Sequence, residues 1–162
     1  MRFAPILDPP LRLIMTAVHG LMRALWFARR PRTYGVHAVA LTPAGRIVLV
    51  KLRYAEGWRL PGGGRGKREA PEAAVLRELR EEIGLTRHGE VWRACDLEQE
   101  VDFKRDLASL LIVRDVEYER PGWSWEIEDV MEAELGRLPA DLSPRSAGWI
   151  EALLPRLQPP AG

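Results

Sequence analysis

Glu69, Arg77, Glu78, Glu81 and Glu82 set four carboxylates and one guanidinium in a single short stretch. Glu78 and Glu82 stand four apart, and Glu78 and Glu81 three apart, so a helix presents all three carboxylates on one face. Like charges at these spacings weaken a helix by about 0.2–0.5 kcal/mol per pair. A bound divalent cation reverses the sign of that cost. Mg²⁺ is hard, prefers oxygen ligands and keeps room for water and substrate phosphate. The run holds no Cys or His to suggest zinc. The alternative for a Glu-x-x-Glu-Glu run taken alone is a solvated acidic face, with Arg77 pairing to Glu81 one helical turn on.

The elements that must position these groups are legible on either side. Upstream, Pro61-Gly62-Gly63-Gly64 allows close approach of backbone to a ligand, because glycine lacks a Cβ and tolerates positive φ. Successive backbone groups there can serve a cation and a phosphate. A triple glycine alone reads as a flexible turn; standing just before Glu69 gives it meaning. Gly62 to Arg68 is expected as a loop, and its cations Arg65, Lys67 and Arg68 either meet a polyphosphate or are simply solvated. Pro71 at a first-turn position and Glu72 after it open a helix. Ala73, Leu76, Leu79 and Ile83 recur along it at helical spacing, and Gly84 ends it.

Taken together the residues read G-x5-E-x7-R-E-L-x-E-E-x-G-L from Gly63 to Leu85. With residue types used at ordinary frequencies, a chance match is on the order of 10⁻⁷. The pattern resembles the Nudix box of the Nudix hydrolases. The resemblance implies an α/β/α sandwich with a mixed sheet. It also implies water attack on a phosphorus of a diphosphate bridge, assisted by Mg²⁺ with Mn²⁺ as a substitute. The matching residues then have assigned parts. Glu78, Glu81, Glu82 and the carbonyl of Gly62 are the metal ligands, while Gly63, Glu69 and Arg77 hold the loop on the helix. The general base is a box glutamate, Glu81 or Glu82, or an acid from a later loop. Glu126, after Trp123-Ser124-Trp125, is the first candidate for the later acid and Glu128 the second; the alternative for Glu126 is an exposed loop carboxylate.

Elsewhere the chain reads as alternating short elements. Tyr34–Leu41 and Arg46–Tyr54 are expected strands around the turn Thr42-Pro43-Ala44-Gly45, forming a hairpin. Trp58–Leu60, Val91–Leu97, Leu107–Tyr118 and Val130–Leu135 are further strand candidates. Ser143-Pro144 starts a C-terminal helix that Pro155 is expected to end after Leu154. The order gives an α/β or α+β layered domain. Residues 1–33 are assigned to an extra N-terminal helix, 34–155 to the Nudix domain and 156–162 to a loose tail.

Composition narrows the class. A chain of 162 residues is one domain's worth of core. Lys plus Arg number 24 against 23 Asp plus Glu, so bulk charge calls for no nucleic acid. The single cysteine, Cys95, cannot form an internal disulfide and fits a reducing cytoplasm. Leu11 to Phe27 is apolar, but Arg12, His19 and Arg23 interrupt it, so it does not meet the requirement for a spanning helix. Arg12, Thr16, His19 and Arg23 form one polar stripe on a helix otherwise apolar. Its cover is the domain itself, a homodimer partner or, with Arg29, Arg30 and Arg32 beside it, a membrane surface.

Within the resemblance, subfamily marks leave the substrate open. No proline lies between Pro71 and Pro121, where ADP-ribose hydrolases often carry one past the box. Phe103 is the nearest aromatic to the tyrosine found in many dinucleoside polyphosphate hydrolases. Trp58, Trp123 and Trp125 can stack on a base or serve the core and its rim. Arg65, Lys67 and Trp58 are the substrate-binding candidates. Three readings stand: a pyrophosphohydrolase of nucleoside diphosphate derivatives, a nucleotide sensor without turnover, and a membrane-associated enzyme on a lipid or isoprenoid diphosphate.

Overall fold

The structure is a computed structural model that describes residues 13–14, 16–18, 20–22, 32–101 and 104–157. Its strands are β1 (Arg32–Ala40), β2 (Ile47–Leu52), β3 (Trp58–Arg59), β4 (Gly62–Gly64), β5 (Leu85–Arg87), β6 (Val91–Val101), β7 (Lys104–Val113), β8 (Glu117–Tyr118) and β9 (Ile127–Ala133). The helices among these residues with assigned bounds are α1 (Pro71–Ile83) and α2 (Pro144–Leu157). The strands order as β4-β1-β7-β6, β3-β2-β9 and β5-β8. β1 and β7 run parallel and the other pairs antiparallel, so the sheet structure is mixed.

Period-two alternation explains the layering. Val36, Ala38 and Ala40 of β1, Val48, Val50 and Leu52 of β2, and Leu111 and Val113 of β7 form one core with Val75, Leu79 and Ile83 of α1. The alternate residues, Val39, Ile47, Leu49, Leu110 and Ile112, form a second core with Trp149, Ile150 and Leu153 of α2. Adjacent strand residues point to opposite faces, so near-continuous apolar runs such as Ile47–Val50 are covered on both sides. The result is helix, sheet, helix.

Several local expectations are corrected. β1 and β2 do not pair as a hairpin; a single bridge, Leu41 to Ile47, closes the turn and the strands then enter different sheets. Both edges of β1 are taken, one by β7 along its whole length and the other by β4 at Gly35–His37, and β2 pairs with β3 and β9 instead. The glycine run begins as strand β4, its Gly62–Gly64 paired with Gly35–His37 of β1. The expected strand Leu107–Tyr118 breaks at Asp115, whose φ is +51°, and its end becomes β8 against β5. Helix α2 continues through Pro155 to Leu157. Buried Leu153 and Leu157 lie one turn apart on its inner face, and Arg114 donates to the Leu157 carbonyl at 3.1 Å. Ser143 does cap α2, accepting from the Ser146 amide at 3.3 Å.

The described residues of the N-terminal segment are helical, and Leu13, Ile14, Val18, Leu21 and Met22 are exposed. Arg12, His19 and Arg23 lie outside the described residues, as does Phe103. Among the described residues no helix is long and apolar enough to cross a membrane.

Candidate active site

The inner face of α1 holds the expected Leu79 and Ile83, with Leu76 packed against the core, but departs from expectation at Ala73. Ala74, Val75, Leu79, Glu82 and Ile83 are its buried residues, while Ala73 is exposed. A carboxylate therefore belongs to the buried stripe. The three carboxylates near the end of the helix are graded in exposure: the side chains of Glu78 and Glu81 are 12% and 61% exposed, and Glu82 is 6% exposed.

Strand β4 meets this face. The Gly62 amide donates to Glu82 Oε2 at 2.8 Å. Gly62 has φ +145°, and a Cβ there would lie 2.1 Å from the Val36 carbonyl oxygen. At Gly63 a Cβ would lie 2.6 Å from Glu78 Oε2. Both positions need glycine, the first for its backbone and the second for the carboxylate pressed against it. Burial is the main reason the Glu82 carboxyl is pushed well above the ordinary value of 4.5, and the charges of Glu126, Glu78 and Glu81 add to it. Burial also raises Glu78, against the pull of Arg77.

Arg77 ties the loop to the helix. Its Nε and Nη2 donate to the two oxygens of Glu69 at 3.0 and 3.2 Å. Its Nη2 also donates to the Gly64 carbonyl at 3.0 Å, and its Nη1 to Glu78 at 2.7 Å. Glu69 in turn accepts from the Gly66 amide at 3.0 Å. A planar fork suits this bridging geometry in a way a lysine does not. The hydrogen bond to Arg77 lowers the Glu69 carboxyl. Glu81 lies 3.6 Å from Arg77 Nη1.

The opposite wall comes from the chain before β9. Glu78, Glu81 and Glu82 line one cavity of about 320 Å³ together with Trp123, Ser124, Trp125, Glu126 and Ile127. Buried Arg53 holds this loop: its amide donates to the Glu126 carbonyl at 2.9 Å and its Nε to the Ser124 carbonyl at 3.0 Å. The Ser124 hydroxyl accepts from the amides of Glu126 and Ile127 at 3.3 and 3.1 Å. The Tyr54 hydroxyl donates to Glu126 Oε1. Desolvation and that carboxylate push the Tyr54 hydroxyl up, so it keeps its proton and remains a donor.

An acidic cavity facing a glycine strand, with an Arg–Glu tie beneath it, is the arrangement the box residues imply. The NUDIX domain model matches residues 31–153. The chain belongs to the Nudix family. A MutT Nudix hydrolase from Burkholderia pseudomallei is similar at 25% identity and TM-score 0.64, covering 74% of this chain and 96% of that one. A bifunctional NMN adenylyltransferase/ADP ribose pyrophosphatase from Francisella tularensis shares the fold at 16% identity and TM-score 0.66, covering 91% of this chain and 48% of that one. An RNA pyrophosphohydrolase from Pseudomonas savastanoi pv. phaseolicola is 37% identical over 60 residues, covering 37% of this chain. The match spans 38% of that relative's length.

Within this Nudix hydrolase the remaining sequence candidates fall elsewhere. The described lining of the acidic cavity does not include Trp58, Arg65 or Lys67. Trp58 sits in β3, packed against the core beneath α2, with its backbone bonded to Asp141 and Ser143. Arg65 lies over the Tyr34 ring at 5.1 Å and donates to the Glu69 carbonyl at 3.2 Å, so it braces the loop. Lys67 is exposed on a turn. Glu128 lies in β9, where its carbonyl accepts from Arg120 at 2.9 Å. Sequence reasoning missed Arg53 and Tyr54. The alternation of β2 gives no hint that the residues just past its end reach a loop seventy positions away.

Proposed function

We propose that this Nudix hydrolase cleaves the diphosphate linkage of a nucleoside diphosphate derivative, using Mg²⁺ with Mn²⁺ as a substitute. The observation that carries the reading is the shared cavity of about 320 Å³, which the helix carboxylates Glu78, Glu81 and Glu82 line together with Glu126. Among the described residues no three His, Cys, Asp or Glu groups converge on one point, with Glu78 drawn to Arg77 and Glu82 to the Gly62 amide. The donor chemistry nevertheless fits a hard cation. Every titratable lining group is a carboxylate, and burial together with the neighbouring carboxylate charges raises Glu78 and Glu82. Glu78, Glu81, Glu82 and the Gly62 carbonyl would hold the ion. When bound, it supplies positive charge to the phosphoryl oxygens and acidifies the attacking water.

The chain's own residues supply the rest. Arg77 and Glu69 keep β4 on the helix, so the Gly62 backbone stays beside Glu82. Glu126, held by Tyr54 and by Arg53, takes the proton as the water oxygen bonds to phosphorus; the bridging P–O bond breaks and the leaving phosphate carries its electron pair away. Glu81, the most exposed of the three helix carboxylates, is the second choice for that base.

The substrate range starts from nucleoside triphosphates, ADP-ribose, dinucleoside polyphosphates and nucleotide sugars. The name of a similar protein, an RNA pyrophosphohydrolase, adds RNA that carries such a diphosphate linkage. The single cysteine supports a cytoplasmic setting. The exposed apolar residues Leu13, Val18 and Leu21 support a second copy of the chain as their cover.

The test is hydrolysis of such a panel with Mg²⁺ or Mn²⁺, alongside Glu82→Gln. Metal-dependent turnover that the variant loses is the expected result. Absence of turnover, with nucleotide binding retained in calorimetry, would replace the enzyme with a sensor.

A further inference from the structure

Trp123 and Trp125 are among the most exposed large apolar residues described, at 50% and 66%. They are not loose. Their rings meet edge to face with centroids 4.4 Å apart and planes at 77°. The residue between them is anchored twice, through its carbonyl to Arg53 and through its hydroxyl to the Glu126 and Ile127 amides. A loop fixed in this way spends hydrogen bonds to keep two indoles in water. An edge-to-face pair covers part of one ring and leaves flat π-surface free.

We infer that the Trp123–Trp125 pair is the stacking platform for the nucleobase of the substrate. The inference rests on the reading of the carboxylate cavity as the phosphate end of the site. Both rings line the same cavity as Glu78, Glu82 and Glu126. A ligand whose diphosphate lies among the carboxylates therefore extends toward the indoles. Every base has a π-face, so stacking gives affinity with little discrimination between bases. A macromolecular docking surface is a poorer match, since such patches run to several hundred Å² of contiguous apolar area, whereas these rings sit on the wall of an acidic recess. An anionic membrane would be repelled by those carboxylates. A prenyl chain has no flat face to match a ring, and it is the rival that the test must separate.

The full-length protein with Mg²⁺ would be titrated with AMP and with ribose phosphate, which lacks the base, following tryptophan fluorescence and calorimetric heat. The platform requires AMP to bind more tightly than ribose phosphate and to quench fluorescence. Trp125→Ala and Trp123→Ala should weaken AMP about tenfold in Kd, the usual scale for one lost base–aromatic stack. Trp125→Phe, which keeps a flat ring, should restore most of it. Ribose phosphate should bind all of these variants alike. The idea fails if AMP binds no better than ribose phosphate, or if both weaken equally, which would mean that the tryptophans only hold the loop. It also fails if geranyl diphosphate alone responds to the substitutions. Because AMP is not hydrolysed, the two readings separate. A base effect without turnover on any nucleotide would remove the enzyme and keep the platform, and turnover without a base effect would do the reverse.

Discussion

The two walls of the cavity are built on different physics. The helix wall is rigid by burial: Val75, Leu79 and Ile83 are fully buried, and the carboxylates are tied to Arg77 and to the Gly62 amide. The loop wall is anchored mainly by hydrogen bonds, with only Ile127 at its end buried in the core, its indoles left in water and its acid held by Tyr54. One wall places charge where water is scarce. The other places a carboxylate and a flat apolar surface within reach of solvent. The difference shows that one cavity can combine a locked acidic half with an accessible aromatic half.

Substitutions across the two walls should separate these roles. The largest effect is expected from Glu82→Gln, which removes a buried charge without changing shape; kcat should fall by at least about 10³-fold. Glu126→Gln on the facing wall should cost about 10²-fold or more as loss of a general base. Circular dichroism should show both variants folded. A smaller loss for Glu82 than for Glu126 would invert the comparison.

Stability should divide in the same way. Leu79→Ala, which empties a fully buried position under the helix wall, is expected to cost about 2–5 kcal/mol in urea unfolding. Trp123→Ala on the loop wall should stay within about 0.5 kcal/mol. Equal losses would mean that the loop is part of the core.

Acidity offers a third contrast. Glu82 titrates above its ordinary 4.5 in the folded protein, chiefly through burial. The folded state then binds more protons than the unfolded state, so stability falls as pH rises from about 4.5 toward the folded pKa and returns on acidification. In EDTA the melting temperature should therefore rise as the pH is lowered toward about 4.5. Mg²⁺ should flatten that slope, and Glu82→Gln should reduce it. A slope unchanged in the variant would show that another group carries it.

The smallest expected effect tests the loop's anchor. Tyr54→Phe removes the donor to Glu126 and should lower kcat about fivefold with KM unchanged, as for one lost hydrogen bond. A rise in KM without loss of kcat would move Tyr54 from positioning the acid to shaping the pocket.

Local sequence carried the helix wall because its chemistry repeats at helical spacing. Pro71, Gly84 and the Glu78–Glu82 offset lie close enough in the chain for backbone geometry alone to relate them. Ala73 was misassigned to the inner face because spacing treats a carboxylate as polar, whereas Glu82 is buried against a backbone amide. The hairpin was misplaced because turn chemistry reports that a chain reverses, not which strand it then joins. The run through Pro155 had the same cause: a buried Leu157 and an arginine just past the end of β7 outweighed a local break.

By itself, then, the sequence determined the box, its carboxylates and its glycines, and with them the resemblance to the family. These depend on contacts between near neighbours along the chain, where spacing and geometry are equivalent. Only the tertiary structure decided that β4 pairs with β1, that Arg53 and Tyr54 reach the loop before β9, and that Trp123, Trp125 and Glu126 face the helix. Those relations join segments about twenty-five to seventy residues apart, and which segments meet is set by the burial of both sheet faces at once, a property of the whole chain.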